Sequence, residues 1–222
     1  LGVTMSLQRR LALLRWAAAN KAWIIEDDYD SEYRYTGPPL ASLQSLDRAG
    51  CTIYVGTLSK VLFPGLRLGY VVAPPALVEP LVRAKAVVDR HSPIIPQMVM
   101  ADFMAGGHFG RHIKRTREAY AERRHALLSA IGRELDDELV CGPSDAGLDL
   151  CVQFRRPRDE ATVVRDALAK DIELRPLSYY ANRVATPECA VAPGLLLGFA
   201  AIAPAEIKSG ISVLASVLRK TR

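Results

Sequence analysis

The sequence predicts an α/β fold: a mixed, mostly parallel sheet with helices, followed by a smaller α+β C-terminal domain. Three observations carry this reading. Short apolar runs at residues 22–25, 52–55 and 66–73 each stop at polar, glycine or proline residues, as buried parallel strands do. Segments with a 3.6-residue apolar period lie before and after them. After Gly142-Pro143 the pattern changes to shorter strands and helices in alternation.

Residues 7–20 read as a helix with Leu11, Leu14 and Ala18 on one face. The run at 22–25 leads into Glu26-Asp27-Asp28-Tyr29-Asp30, polar residues at the carboxyl end of a strand, where open α/β sheets place their ligands. The run at 52–55 ends at Gly56-Thr57-Leu58-Ser59-Lys60, and the run at 66–73 is stopped by Pro74-Pro75. Residues 80–90 read as helix, His91-Ser92-Pro93 interrupts, and 96–106 read as a further apolar helix. A long helix is predicted at 109–135, its apolar stripe including Ile113, Tyr120, Leu127 and Ile131. Beyond it, 148–154 reads as strand, 160–170 as helix, Leu174 and 195–201 as strand-like, and 205–219 as a terminal helix. The expected division is a partial large domain with its connecting helix over 1–138 and a small α+β domain over 139–222.

Half of the 222 residues are hydrophobic, enough for a substantial core. No apolar run reaches the roughly 18 residues that a membrane span needs. The first ten residues lack the order of a signal peptide, so a cytoplasmic protein without a membrane partner is expected. Cys51, Cys141, Cys151 and Cys189 form no CxxC pair, and reduced, buried thiols are expected. The net charge of +5 is spread along the chain. Arg111, Lys114, Arg115, Arg117, Arg123 and Arg124 lie around several faces of the long helix, the pattern of a solvated helix rather than a DNA-contacting stripe. His108 and His112 have a metal-ligand spacing, but no third ligand is evident and no metal is expected.

The chemistry gathers around Thr57-Leu58-Ser59-Lys60, with Arg67 seven residues after the lysine. An aldehyde cofactor that carries a phosphate needs an amine, and Lys60 supplies one just past a strand. Its phosphate needs hydroxyls and a guanidinium, which Thr57, Ser59 and Arg67 supply. Pro64-Gly65 makes the turn that returns Arg67 towards the lysine. A pyridine nitrogen needs a carboxylate, and Asp27 stands at the end of the preceding strand. Tyr29, two residues on, falls on the same side of an extended chain and can reach the phenolic oxygen. The combination points to pyridoxal 5′-phosphate (PLP).

The segments IIEDDYDSEYRY, VGTLSKVLFPGLRLGYVVAP, RHIKRTREAYAERR and LLLGFA resemble the aminotransferase-like domain of MocR-type transcriptional regulators of the GntR superfamily. The resemblance covers essentially the whole chain and implies a fold type I PLP-dependent domain. It implies Lys60 as the Schiff-base lysine, Asp27 at the pyridine nitrogen, Tyr29 at the phenolic oxygen, and Thr57, Ser59 and Arg67 near the phosphate. It also implies a homodimer, a small amine or B6-type effector, and DNA contact only through an N-terminal winged-helix domain.

Three departures shape the expectation. The winged-helix domain and its linker are not in these residues. Nor is the first part of the large domain, which in the family supplies a phosphate loop and an aromatic residue stacked on the ring, so a C-terminal fragment is expected. The family's AGLHL-like segment reads Ala146-Gly147-Leu148-Asp149-Leu150, and Leu195-Leu196-Leu197-Gly198 has no arginine for a substrate carboxylate. Arg175 and Arg183 are the arginines expected to serve a carboxylate effector instead. The predicted function is a PLP-binding effector domain. Its alternatives are an active aminotransferase and a degenerate fragment that no longer holds PLP.

Overall fold

A computed structural model describes residues 2–181 and 191–220 and divides the chain into two compact units. The N-terminal unit comprises Thr4–Glu32 and Gly37–Arg115; the C-terminal unit comprises Thr116–Arg222 with the short pieces Leu1–Val3 and Tyr33–Thr36.

The N-terminal unit opens with α1 (Leu7–Asn20), where the Ser6 hydroxyl accepts from the Arg9 amide at 3.3 Å and caps the first turn. Then come β1 (Ile24–Asp28), the short α2 (Leu43–Leu46), β2 (Thr52–Thr57), a 3₁₀ turn (Pro64–Leu66) and β3 (Gly69–Val72). Helices α3 (Pro75–Val88) and α4 (Ile94–Ala105) follow, and α5 (His108–Glu134) begins here. Strands β1 and β2 run parallel, while β3 pairs antiparallel to β2. The β2–β3 connection covers only residues 58–68, too short for a crossover of a dozen or more residues, so the chain folds back as a long hairpin. The core is small: Leu14 and Ala17 of α1 pack with Ile24, Leu43 and Cys51. Leu58, Val61, Met100 and Ile113 are also buried, but much other apolar surface stays open. All four residues of β3 are exposed, and α3 buries none of its side chains.

The C-terminal unit takes the rest of α5, β4 (Leu139–Cys141), β5 (Asp149–Phe154), α6 (Glu160–Leu168), β6 (Arg175–Pro176), β7 (Gly194–Gly198) and α7 (Pro204–Lys220). Its sheet is antiparallel throughout, in the order β4-β5-β7-β6. Leu150 and Val152 of β5 and Leu195 and Leu197 of β7 meet Ile207, Ile211, Leu214 and Leu218 of α7 in one closed core. Those α7 positions follow the i, i+4, i+7 spacing of an amphipathic helix. Three buried ionisable side chains there are engaged. Arg158 bonds Glu138 and donates to the Leu218 carbonyl at 2.7 Å, and the Glu160 carboxylate accepts from the amides of Gly194 (2.6 Å) and Ser178 (3.2 Å).

Cys51 and Cys151 are buried as expected, but Cys141 is exposed, because it ends the edge strand β4; Cys189 lies outside the described residues. No helix among the described residues is long and apolar enough to cross a membrane.

Candidate functional site

Strand alternation sorts the acidic cluster. Glu26 and Asp28 fall on one face of β1 and are half-buried; Asp27 falls on the other and is exposed. The Glu26 carboxylate accepts from the amides of Leu43 (2.8 Å) and Gln44 (3.0 Å), capping α2, and pairs with Arg10 at 3.5 Å. Asp28 accepts from the Tyr54 hydroxyl at 2.7 Å, the Ser31 hydroxyl at 2.8 Å and the Ser31 amide at 3.2 Å. Burial, and then the bond to Asp28, raise the Tyr54 phenol far above its usual pKa, so it stays a donor. Asp27 alone among the three has no hydrogen bond or ion pair with the described residues. Tyr29 follows directly after β1 and is half exposed.

Parallel register places the ends of β1 and β2 side by side: Asp27 lies opposite Val55 and Asp28 opposite Gly56. Beyond Thr57 the chain turns. The Leu58 amide donates to the Leu68 carbonyl at 3.0 Å, the Leu62 amide to the Leu58 carbonyl at 3.0 Å, and the Ser59 amide to the Thr57 hydroxyl oxygen at 3.2 Å. Leu58 and Val61 are buried and anchor this turn, leaving Lys60 exposed between them. Thr57 and Ser59 are half-buried. The pairing of Thr57 with Gly69 brings the chain back just after Arg67. Arg67 caps the 3₁₀ turn with φ +50°, donating its amide to the Pro64 carbonyl at 3.2 Å. A left-handed backbone on a non-glycine residue costs about 1–2 kcal/mol. The backbone thus brings Asp27, Tyr29, Thr57, Ser59, Lys60 and Arg67 to one end of the β1–β2 pair, all within the N-terminal unit.

Arg175 belongs to the C-terminal unit, exposed on β6, where a hydrogen bond with Tyr180 raises its pKa further. Arg183 lies outside the described residues. No group of three His, Cys, Asp or Glu among the described residues could hold a metal ion.

Two supporting features were not foreseen from the sequence. Tyr54 fixes Asp28, and its ring lies 6.0 Å from that of Tyr70. Tyr70 needs Gly56 opposite it, since a Cβ there would come within 2.3 Å of the Tyr70 ring. A glycine inside a strand run was the available signal for such a close approach. The second feature is His112, whose Nε2 donates to the Val61 carbonyl at 2.8 Å and so ties α5 to the lysine turn.

An amine, an unpaired carboxylate, a phenol, two hydroxyls and a guanidinium form a donor set complementary to a phosphorylated pyridine aldehyde. Comparison with known proteins points the same way. The model of the aminotransferase class I and II family matches residues 1–214. The chain is 37% identical over 216 residues to the probable rhizopine catabolism regulatory protein MocR of Rhizobium meliloti, covering 97% of this chain and 43% of that one. It is 30% identical over 220 residues to aromatic-amino-acid aminotransferase 1 of Thermococcus litoralis, covering 99% of this chain and 51% of the other. The crystal structure of Pyrococcus horikoshii kynurenine aminotransferase in complex with PMP superposes with a TM-score of 0.88 at 29% identity, over 99% of this chain and 53% of that one. The chain therefore spans about half the length of these relatives.

Proposed function

Because the chain belongs to the aminotransferase class I and II family, whose fold binds PLP, we propose that it is the PLP-binding effector domain of a MocR-type transcriptional regulator. The observation that carries this reading is the unpaired carboxylate of Asp27 beside the Lys60 turn, with both acidic neighbours engaged elsewhere. The similarity to a regulator along nearly the whole chain supports it.

When bound, PLP supplies an aldehyde that condenses with amines and a ring that withdraws electrons when its nitrogen is protonated. In this reading the chain's own residues hold and orient it. Lys60 provides the amine. Asp27 keeps a proton on the ring nitrogen, and Tyr29 donates to the phenolic oxygen. Thr57, Ser59 and Arg67 bind the phosphate, the guanidinium in a bidentate manner. The left-handed backbone of Arg67 fits such a role, since strain of this kind is retained where a site needs it.

The cofactor-holding part is taken as residues 1–138 with α5 as connection, and the small domain as 139–222. The protein is taken as a cytoplasmic homodimer that senses a small amine or B6-type compound. It contacts DNA only through an N-terminal domain of its parent. Arg175 and Arg183 are kept as the arginines for a carboxylate on that effector.

Similarity to the Thermococcus aminotransferase favours a second reading, catalysis of transamination. Spectroscopic PLP titration with Asp27→Ala and Asp28→Ala tests the site. Loss of a hydrogen bond to a charged group, about 1.5–3 kcal/mol, predicts affinity ten- to hundredfold weaker for Asp27→Ala. Equal affinity in wild type and Asp27→Ala would sink the assignment. Steady turnover of an amino acid with a keto acid would favour the enzyme over the sensor.

A further inference from the structure

A pocket lies where α4 passes into α5, apart from the Lys60 group. Phe103 of α4 and His108, Arg111, His112 and Arg115 of α5 line an open pocket of about 290 Å³, just under the lower end of small-ligand sites. The four α5 residues follow an i, i+3, i+4, i+7 spacing and share one helical face. No carboxylate lines the pocket.

Its side chains are organised. The Phe103 ring stacks on His108 with centroids 5.7 Å apart and an angle of 19°, and meets His112 edge-on at 6.5 Å. Nη2 of Arg111 donates to the Gly106 carbonyl at 3.2 Å and to Nδ1 of His108 at 3.1 Å. Gly106 leaves the room for this, since a Cβ there would come within 2.7 Å of the His108 ring. Arg111 and Arg115 make no ion pair among the described residues. Two guanidiniums sharing a pocket without a counter-charge repel each other and attract an oxyanion that both can bond.

We propose that this pocket binds a small oxyanion-bearing ligand, a phosphate monoester or a carboxylate, and that His112 transmits its occupancy to the lysine turn. His112 both lines the pocket and donates to the carbonyl of Val61, the buried neighbour of Lys60. That carbonyl belongs to the turn closed by the bond from the Leu62 amide to Leu58. A ligand that engages His112 therefore acts on the same turn. The anion site stands independently of the PLP reading; only the regulatory meaning of the coupling rests on that reading.

The test is titration of inorganic phosphate into the 222-residue chain by calorimetry, with amide hydrogen exchange followed at residues 58–62. Saturable binding is expected, weakened at least tenfold in Arg111→Gln/Arg115→Gln. It should persist in Lys114→Gln, which lies off this helical face. Exchange at 58–62 should change with phosphate in wild type and not in the double variant. Non-saturable binding, or an equal loss in Lys114→Gln, marks general attraction to a basic helix and overturns the site. Saturable binding with no change at 58–62 overturns the coupling. Acetate in place of phosphate separates the two ligand sources, and PLP is absent from every arm, so failure of the cofactor reading leaves these results interpretable.

Discussion

The two units are built from similar apolar sequence but bury it very differently. In the C-terminal unit, α7 turns Ile207, Ile211, Leu214, Ala215, Val217 and Leu218 inward, and the sheet supplies matching residues. In the N-terminal unit, α3 carries Val78, Leu81, Val82, Val87 and Val88, all exposed, beside a β3 that is exposed at every residue. An apolar stripe specifies a helix in both cases, but burial needs a partner surface, which only the first helix meets. The difference bears on the proposed function, because the Lys60 group sits in the open unit. Asp27, Lys60 and Arg67 are reachable from solvent, whereas the ionised groups of the closed unit, Glu138, Arg158 and Glu160, are consumed by structure.

The contrast can be broken by substitution. The largest effect is expected in the closed core: Leu214→Ala should cost about 2–5 kcal/mol in urea unfolding. Next is Glu160→Ala, which leaves the buried Gly194 amide without its acceptor and should cost about 1–3 kcal/mol. Asp47 offers a pH-dependent test of the open unit. Burial alone would raise its pKa, but the amides of Ala49, Cys51 and Thr52 bond its carboxylate at 2.7–2.8 Å and hold it below its ordinary value. A carboxyl with a depressed folded pKa stabilises the fold above its unfolded value and loses that contribution as pH falls through the folded one. Asp47→Asn should therefore destabilise at neutral pH, and the deficit should close as pH falls below the ordinary carboxylate range; a deficit independent of pH would remove charge from the explanation. Smallest of all, Val82→Ala on the exposed face of α3 should stay within about 0.5 kcal/mol of wild type. A loss as large as that of Leu214→Ala would mean that α3 is buried after all.

Much of the architecture was legible, because period and punctuation are local. The helix expected at 7–20 is α1 itself, and the strand expected at 195–201 contains most of β7. The strand expected at 66–73 begins only at Gly69, because Pro64–Leu66 form a 3₁₀ turn and Arg67 takes a left-handed φ. The helix expected at 80–90 starts earlier, with Pro75 in the first turn where a missing amide costs nothing, and it tolerates Pro80 inside. Strand β4 and helix α2 escaped notice, since three or four residues carry no period of their own and exist through β5 pairing and the Glu26 cap.

Within the candidate site, cofactor chemistry directed the sequence reading to particular residue types. The structure places Asp27 on the exposed face of β1 and Tyr29 just beyond the strand. Which carboxylate remains unpaired was not legible, because Tyr54, Ser31 and α2 decide it through tertiary contacts. The same holds for His112, whose bond to Val61 spans 51 residues.

The most direct test sets the lysines of the two units against each other. The chain is incubated with PLP, reduced with borohydride, digested and mapped. The account predicts the phosphopyridoxyl label on Lys60 in the open unit, lost in Lys60→Ala, with Lys170, Lys208 and Lys220 of the closed unit unmodified. A label on Lys170, Lys208 or Lys220, or one undiminished in Lys60→Ala, would contradict it.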